Sequence, residues 1–470
     1  MSIDRDLVAR IAERVLREMD GGGSAAPATA PSGPLAGSFA DVASAIAAAE
    51  TAFRAFRAIG LERRMAIIEK LRVGLRAQVE SLARIAVEET GMGRVEDKIK
   101  KNLLVIDKTP GPEILQAHAV SGQHGLCLEE LAPYGVIGSI TPCTNPSETV
   151  INNGIGMISG GNAVVFNAHP AAKRTTAVTI DLINRLLVAE GAPPNLFTCV
   201  AEPTIDSANE LMRAKGIRLL VVTGGPAVVK AAFAAGKKVI AAGPGNPPVV
   251  VDETADLEQA GRGIVAGASF DNNVVCICEK EVIAVEAIAD RLKRAMVQAG
   301  AYELKGGEIA AVQKLVVEDD GLHPKKEWVG KDAAAILRAA NIPTSGAPRL
   351  LFADVPFQHP FVQGELLMPL IGFTRARDVH EAIDLARQAE HGFRHTASMY
   401  SKNIDHLHEM AVAMDCSIFI KNGPNYNGLG FEGPGHTSFT IASPTGEGMT
   451  TALNFTRKRR CVLKDHFRIV

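Results

Sequence analysis

GVIGSITPCTNP at residues 135–146, AVVFNAHP at 163–170 and RLLVVTGGP at 218–226 follow one rule: an apolar, largely β-branched run stops abruptly in Thr, Asn, Pro or Gly. Each run has the length of a strand, and each stop is followed by helical periodicity. The predicted order is strand 135–140, helix to about 159, strand 163–166, helix 172–190, strand 197–200, helix 205–214, strand 218–222, helix 226–235 and strand 238–241. Such alternation predicts right-handed crossovers and a parallel, doubly wound α/β sheet with helices on both faces. Ligands of these sheets bind beyond the carboxyl ends of the strands, here the three polar stops themselves.

Outward from this segment, residues 39–90 are rich in Ala, Arg, Glu and Leu at helical spacing and predict two or three helices. A second α/β region begins near residue 250 and runs to about 422. The tail after 423 is rich in Gly and Thr and ends in a strand-like stretch. At the N-terminus, Ile3, Leu7, Val8, Ile11, Val15, Leu16 and Met19 recur on one helical face, which predicts an amphipathic helix over 2–19. Residues 21–37, drawn largely from Gly, Ser, Ala, Pro and Thr, read as a flexible tether. A helix on a tether either packs back on the body or docks onto another protein or a shell, and a spacer of this length favours docking.

Composition narrows the class. A chain of 470 residues with 47% hydrophobic and 22% charged residues has room for two or three domain cores. It carries no apolar run of membrane-spanning length. A net charge of -2, with Arg457 to Arg460 as the single basic tract, argues against a nucleic-acid partner. Seven scattered cysteines, none spaced C-x-x-C, argue against a structural zinc or disulfide framework and favour a reducing interior. No secretory signal is expected, because the N-terminus is amphipathic.

Two loops carry candidate chemistry. Thr223, Gly224 and Gly225 lie between a strand and Pro226, a residue suited to a first helical turn, so backbone N–H groups and the helix dipole can face a pyrophosphate. The second loop is FDNNVVCICEKE at 270–281. A cysteine in a polar loop between helix and strand can have its pKa lowered by nearby amides, as a nucleophile requires. On this ground alone Cys276 and Cys278 compete equally.

FDNN with Cys276, ITPCTNP at 140–146, VTGGP at 222–226, GPGNPP at 243–248, ELLMP at 365–369, HGFRHTASMYS at 391–401 and FTRKRR at 455–460 occur in order over about residues 36–470. Together they resemble the CoA-acylating branch of the aldehyde dehydrogenase superfamily. Within it the pattern is most similar to the propionaldehyde and acetaldehyde dehydrogenases of bacterial microcompartments, in which a tethered N-terminal helix targets the enzyme as cargo. The resemblance implies an aldehyde dehydrogenase-like α/β fold of two doubly wound parallel domains plus a small oligomerisation strand region. Its expected divisions are a targeting helix at 1–20, a linker at 21–37, a dinucleotide- and CoA-binding domain at 38–249 with an oligomerisation segment near 116–132, a catalytic domain at 250–422, and a C-terminal return at 423–470. A homodimer or homotetramer in a microcompartment lumen is implied as well.

The resemblance also places the nucleophile at Cys276, with the oxyanion held by the Cys276 backbone N–H and by a side chain of the Thr144–Asn145 pair, Asn145 preferred. It assigns NAD to a groove formed by Thr141, Pro142, Asn167, His169, Pro170, Thr223, Gly224 and Gly225, with Glu365 on the nicotinamide ribose and Pro369 as a further cofactor-binding residue. No Arg or Lys stands beside Asn167, which favours NAD over NADP. Hydrolytic members use a Glu in an ELGGK segment to activate water, whereas residues 240–246, IAAGPGN, carry no carboxylate. A CoA thiol needs less help than water, so coenzyme A is the expected acyl acceptor. A hydrolytic aldehyde dehydrogenase is the alternative. His391, His395 and His436 are left as local proton-handling or structural groups, and no metal is expected.

Overall fold

The computed structural model describes residues 34–469; the helix expected at 2–19 and most of the tether lie outside the described residues. After a two-residue strand β1 (Ser38–Phe39), four helices form an N-terminal layer: α1 (Val42–Phe56), α2 (Leu61–Arg76), α3 (Val79–Thr90) and α4 (Val95–Lys108). Helix α1 begins where the Asp41 carboxylate accepts the Ser44 N–H at 2.7 Å, satisfying a first-turn donor. Helix α3 ends at Gly91, whose φ of 65° suits a residue without Cβ. The fourth helix extends the layer beyond the two or three expected.

Strands β2 (His118–Gly122) and β3 (Gly125–Pro133) lead into the segment first quoted. It folds as β4 (Val136–Thr141), α5 (Pro146–Ser159), β5 (Ala163–Ala168), α6 (Lys173–Ala189), β6 (Phe197–Val200), α7 (Ile205–Arg213), β7 (Ile217–Thr223), α8 (Pro226–Ala234) and β8 (Lys238–Ala242). These strands, with β1, form a six-stranded sheet in the order β1-β6-β5-β4-β7-β8, and every pairing is parallel. From β4 the chain steps outward to β5 and β6, then crosses back to place β7 and β8 on the other side. The switch in direction opens a crevice between the carboxyl ends of β4 and β7. Burial explains the continuous apolar runs: Val164, Val165, Phe166 and Leu219 to Val222 have no exposed surface, and each such side chain contributes roughly 1.5–3 kcal/mol.

The second sheet is built from β9 (Pro248–Val251), β10 (Glu281–Val285), β11 (Ala301–Leu304), β12 (Leu350–Asp354), β13 (Leu370–Ala376), β14 (Thr396–Tyr400) and β15 (Ile418–Lys421), with helix α9 (Leu257–Ala268) after β9. Its order is β11-β12-β13-β10-β9-β14-β15, again wholly parallel. Each sheet has its own core, one around Phe166, Phe197 and Leu220, the other around Val250, Ile283 and Phe373. The tail adds a short antiparallel pair, β16 (Ile441–Ala442) and β17 (Gly448–Met449), and then β18 (Thr456–Lys464). Strand β18 runs antiparallel along the whole of β3, from Thr456 opposite Pro133 to Lys464 opposite Gly125, and β2 forms the far edge.

Candidate active site

The FDNN turn is where the second sheet's first helix delivers the cysteine. Asp271, Asn272 and Asn273 all adopt positive φ, at 47°, 53° and 64°. Three consecutive left-handed residues cost about 1–2 kcal/mol each for most side chains and less for Asn and Asp, which explains the composition of the motif. Surrounding groups hold each one. The Asp271 carboxylate accepts the Arg94 N–H at 2.7 Å, and Asn272 Nδ2 donates to Gly330 O at 2.9 Å. Asn273 Nδ2 donates to the carbonyls of Ala268 and Glu279 at 2.7 and 2.9 Å, while the buried Lys280 ammonium donates to Asn273 O at 3.0 Å. Phe270 anchors the turn between the rings of Tyr426 and Phe431, each centroid 5.5 Å away.

The turn separates the two cysteines. Cys276 is partly exposed and lines a cavity of about 560 Å³; Cys278 is fully buried, its thiol directed at Phe270 O. The cavity occupies the crevice at the ends of β4 and β7. Its walls include Thr141, Pro142, Thr144 and Asn145 after β4, Asn167, His169 and Pro170 after β5, Thr223, Gly224 and Gly225 after β7, and Glu365. Pro369 does not line it: this residue is buried at the start of β13, where its carbonyl accepts the Leu351 N–H at 2.8 Å. Cys143 does line it, as do Leu429, Ser438, Phe439 and Ile441 from the tail. The Gly- and Thr-rich composition of that tail gives no periodic signal for such a role.

The expected lowering of the Cys276 pKa is not found. Burial, and then the Glu365 carboxylate, push its thiol up to about 12, outweighing Lys280 and the amides of Cys276 and Ile277, which act the other way. Burial likewise raises the Glu365 carboxyl, opposed by Lys280 and the Gly245 N–H. His395 is fully buried with Nε2 unpaired and Nδ1 2.8 Å from Thr396 Oγ1. Burial and then Lys280 lower it to about 4, so it is neutral. His391 hydrogen-bonds Gln363 O through Nε2 at 2.8 Å. Neither ring joins a metal-binding cluster, since no group of three His, Cys, Asp or Glu side chains suited to a metal exists among the described residues.

In the same cavity as Cys276, the Thr144–Asn145 pair rests on a charged cluster that sequence reasoning missed. Lys98 and Lys101 of α4, Glu148 of α5 and Asp271 are all fully buried. Lys98 donates to Asp271 Oδ2 and Thr144 O, both at 3.1 Å. Lys101 pairs with Asp271 and with Glu148, the latter at 3.1 Å, and donates to Asn145 Oδ1 at 2.6 Å. Two lysines three residues apart, beside the apolar face Leu104, Val105 and Ile106, were the available signal.

The residues present suit a dinucleotide. Helix α8 starts at Pro226 with no side chain capping its first N–H groups, which leaves them for an anion. Thr141 Oγ1 is buried at the crevice without a partner, a donor awaiting an acceptor. No helix among the described residues is long and apolar enough to cross a membrane.

Comparison with known proteins agrees with this geometry. The profile of the aldehyde dehydrogenase family matches residues 33–316. The chain is 47% identical to the acetylating acetaldehyde dehydrogenase EutE of Salmonella typhimurium over 439 residues, covering 92% of this chain and 94% of that one. Among solved structures, a propionaldehyde dehydrogenase from the fucose utilisation microcompartment of Clostridium phytofermentans superposes with a TM-score of 0.91 at 45% identity, covering 93% of this chain and 100% of the other. The propionaldehyde dehydrogenase of Rhodopseudomonas palustris, with bound CoA and an acylated cysteine, gives 0.89 at 46% identity, covering 91% and 98%.

Proposed function

The chain belongs to the aldehyde dehydrogenase family, and from that premise we propose that it oxidises a short aliphatic aldehyde, propionaldehyde or acetaldehyde, to the acyl-CoA, with NAD as oxidant and Cys276 as nucleophile. One observation carries this reading: Cys276 shares a single cavity with the Thr144–Asn145 donors and the strand ends of the first sheet, and the segment Ala242, Gly243 and Pro244 that closes it brings no carboxylate.

The Cys276 thiol gives up its proton to solvent, the thiolate attacks the aldehyde carbon, and the π electrons move to oxygen. The Cys276 N–H and Asn145 Nδ2 receive the oxyanion, a contribution typically worth about 3–4 kcal/mol per donor. Thr141, Asn167, His169, Gly224 and Gly225 would hold NAD, with Glu365 toward its nicotinamide ribose, and the cofactor would supply the hydride acceptor. Collapse of the oxyanion expels hydride and leaves the acyl group as a thioester on Sγ. The CoA thiol then adds to that carbonyl, the C–Sγ bond breaks, and Cys276 recovers its proton. Apolar walls from Ile140, Val274, Leu429 and Phe439 suit a short hydrocarbon tail.

In this reading residues 38–249 bind the dinucleotide and CoA, residues 250–422 present the cysteine, and the β18-β3-β2 sheet, with Val120, Val462 and Leu463 exposed, joins subunits in a dimer or tetramer. Residues 2–19 dock the enzyme to a microcompartment shell or core protein. Deleting residues 1–20 leaves activity intact and abolishes co-purification with shells; unchanged encapsulation refutes the docking role. The chemistry is tested by NADH formation from NAD and propionaldehyde, with and without CoA, in the native enzyme and Cys276→Ala. Strict CoA dependence that the substitution abolishes is expected, and robust turnover without CoA assigns the enzyme to the hydrolytic branch instead.

A further inference from the structure

We propose that Lys101 is a positioning residue of the oxyanion hole: its ammonium fixes the Asn145 amide so that Nδ2, not Oδ1, faces the reacting carbonyl oxygen. The inference rests on the assignment of Asn145 as an oxyanion donor and adds what holds it in that role.

A primary amide has a donor and an acceptor of nearly equal shape, and nothing intrinsic decides which end points into a cavity. An ammonium has three donors and no acceptor. With Lys101 Nζ 2.6 Å from the Asn145 side chain, the atom facing it must be Oδ1, and a flip would set N–H against N–H. Nδ2 is thereby sent to the opposite side of Cγ. One of its hydrogens goes to Thr144 Oγ1 at 3.1 Å; the other has no acceptor among the described residues, and both Thr144 and Asn145 line the cavity with Cys276.

The cluster keeps Lys101 charged and fixes the distance between the two halves of the site. Burial alone lowers the Lys101 pKa, but Asp271 and Glu148 more than reverse this and hold it above its ordinary value. Two cations and two anions, all without exposed surface, leave no net charge in the interior. Asp271 belongs to the turn that carries Cys276, and Lys98 holds the Thr144 carbonyl. The nucleophile loop and the donor loop are therefore tied to the same pair of ammonium groups, from one face of α4. Preorganised donors of this kind act where charge develops and need not reorient during the reaction.

The test is a double-mutant cycle on the full-length enzyme. Lys101→Met combined with Glu148→Gln removes the orienting cation while leaving the Lys98–Asp271 pair balanced. We expect kcat to fall at least tenfold, and no further than in Asn145→Ala, which should lose about 10²–10³. KM for propionaldehyde and the Kd for NADH should stay within twofold, since the interaction acts in the transition state. Adding Lys101→Met and Glu148→Gln to the Asn145→Ala background should cost less than threefold more, because the amide they orient is already absent. Lys101→Gln, which can present either end of its own amide, serves as the second background and should lose less than the Met pair with the same non-additivity. Independent, multiplicative losses in either background overturn the proposal, as does a kcat near that of the native enzyme. If Asn145→Ala alone leaves kcat unchanged, the oxyanion assignment itself fails and the role of Lys101 with it; a costly Asn145→Ala with neutral Lys101 variants refutes Lys101 alone.

Discussion

In the enzyme without cofactor, Cys276 should react slowly with alkylating agents, and faster once Glu365 is neutralised. An ordinary thiol with a pKa of 9.0 is about one-tenth ionised at pH 8; at about 12 the thiolate is nearer one part in ten thousand. Because the thiolate is the reacting species, iodoacetamide should inactivate the enzyme about a thousandfold more slowly at pH 8 than it modifies an exposed cysteine of equal access. The logarithm of the rate should climb with unit slope from pH 7 past pH 10 without a plateau. Glu365→Gln removes the second-largest cause of the shift and leaves the first, desolvation, in place. It should speed alkylation at pH 8 while leaving the slope intact up to a lower plateau. The assay is residual NADH-forming activity after timed exposure to iodoacetamide across the pH series, with peptide mapping to confirm Cys276 as the modified residue. A plateau with its midpoint at or below 9 refutes the claim that the resting nucleophile is a protonated thiol, and no acceleration in Glu365→Gln removes Glu365 as a cause of the shift.

Other consequences follow from the same surroundings. Asp271→Asn keeps a side chain comfortable at positive φ but leaves Lys98 and Lys101 facing one carboxylate, so stability should drop by about 3–5 kcal/mol; urea unfolding read from the single tryptophan, Trp328, checks this, and a loss under 1 kcal/mol contradicts the network. His395, held near 4 in the folded protein against an ordinary 6.5, is neutral folded and protonated unfolded between those values. The native enzyme should therefore lose up to about 3 kcal/mol as pH falls from 6.5 to 4, and His395→Asn should lack this portion when the two pH–stability curves are subtracted. Thr141→Val removes a buried hydroxyl that has no partner in the protein; KM for NAD should rise about 2–10-fold with no fall in melting temperature, and an unchanged KM would remove Thr141 from the groove.

The first sheet was legible because its strands are buried on both faces and its turns are written in Gly, Pro, Asn and Thr. The expected strand 218–222 and helix 226–235 differ from Ile217–Thr223 and Pro226–Ala234 by a residue or so at the ends. The loop at 270–281 was legible as polar, yet its three left-handed residues were not, since backbone torsion is set there by contacts from Gly330, Lys101 and Lys280. Cys276 and Cys278 could not be ranked by loop composition because Cys276 is the one residue of 271–280 that is not buried, a contrast that composition does not carry. Lys98 and Lys101 were passed over for a different reason: charged residues on a helix usually face water, and Asp271, which brings them inside, lies some 170 positions downstream. Placement of Pro369 failed because adjacency in a motif is not adjacency in space once a strand begins at Leu370.

The missing carboxylate at 240–246 is a property of the packing as much as of the sequence. Ile240, Ala241, Ala242 and Asn246 are all buried, and Asn246 Nδ2 already donates to the Val362 and Ala389 carbonyls. At Gly243 an added Cβ would lie 3.0 Å from Pro444; at Gly245 it would lie 3.0 Å from the His395 ring and 3.1 Å from the Cys276 carbonyl. A carboxylate at either glycine would have to displace the tail or the histidine, and would enter an interior where Glu279 is already pushed up to about 8 by burial. It would therefore be protonated, or would destabilise the site, before it could activate water. A side chain at Gly245 would also crowd the carbonyl of the nucleophile itself. A segment with no room for a base at Gly243 or Gly245 suits a thiol acceptor, softer and more readily ionised than water, which needs less activation.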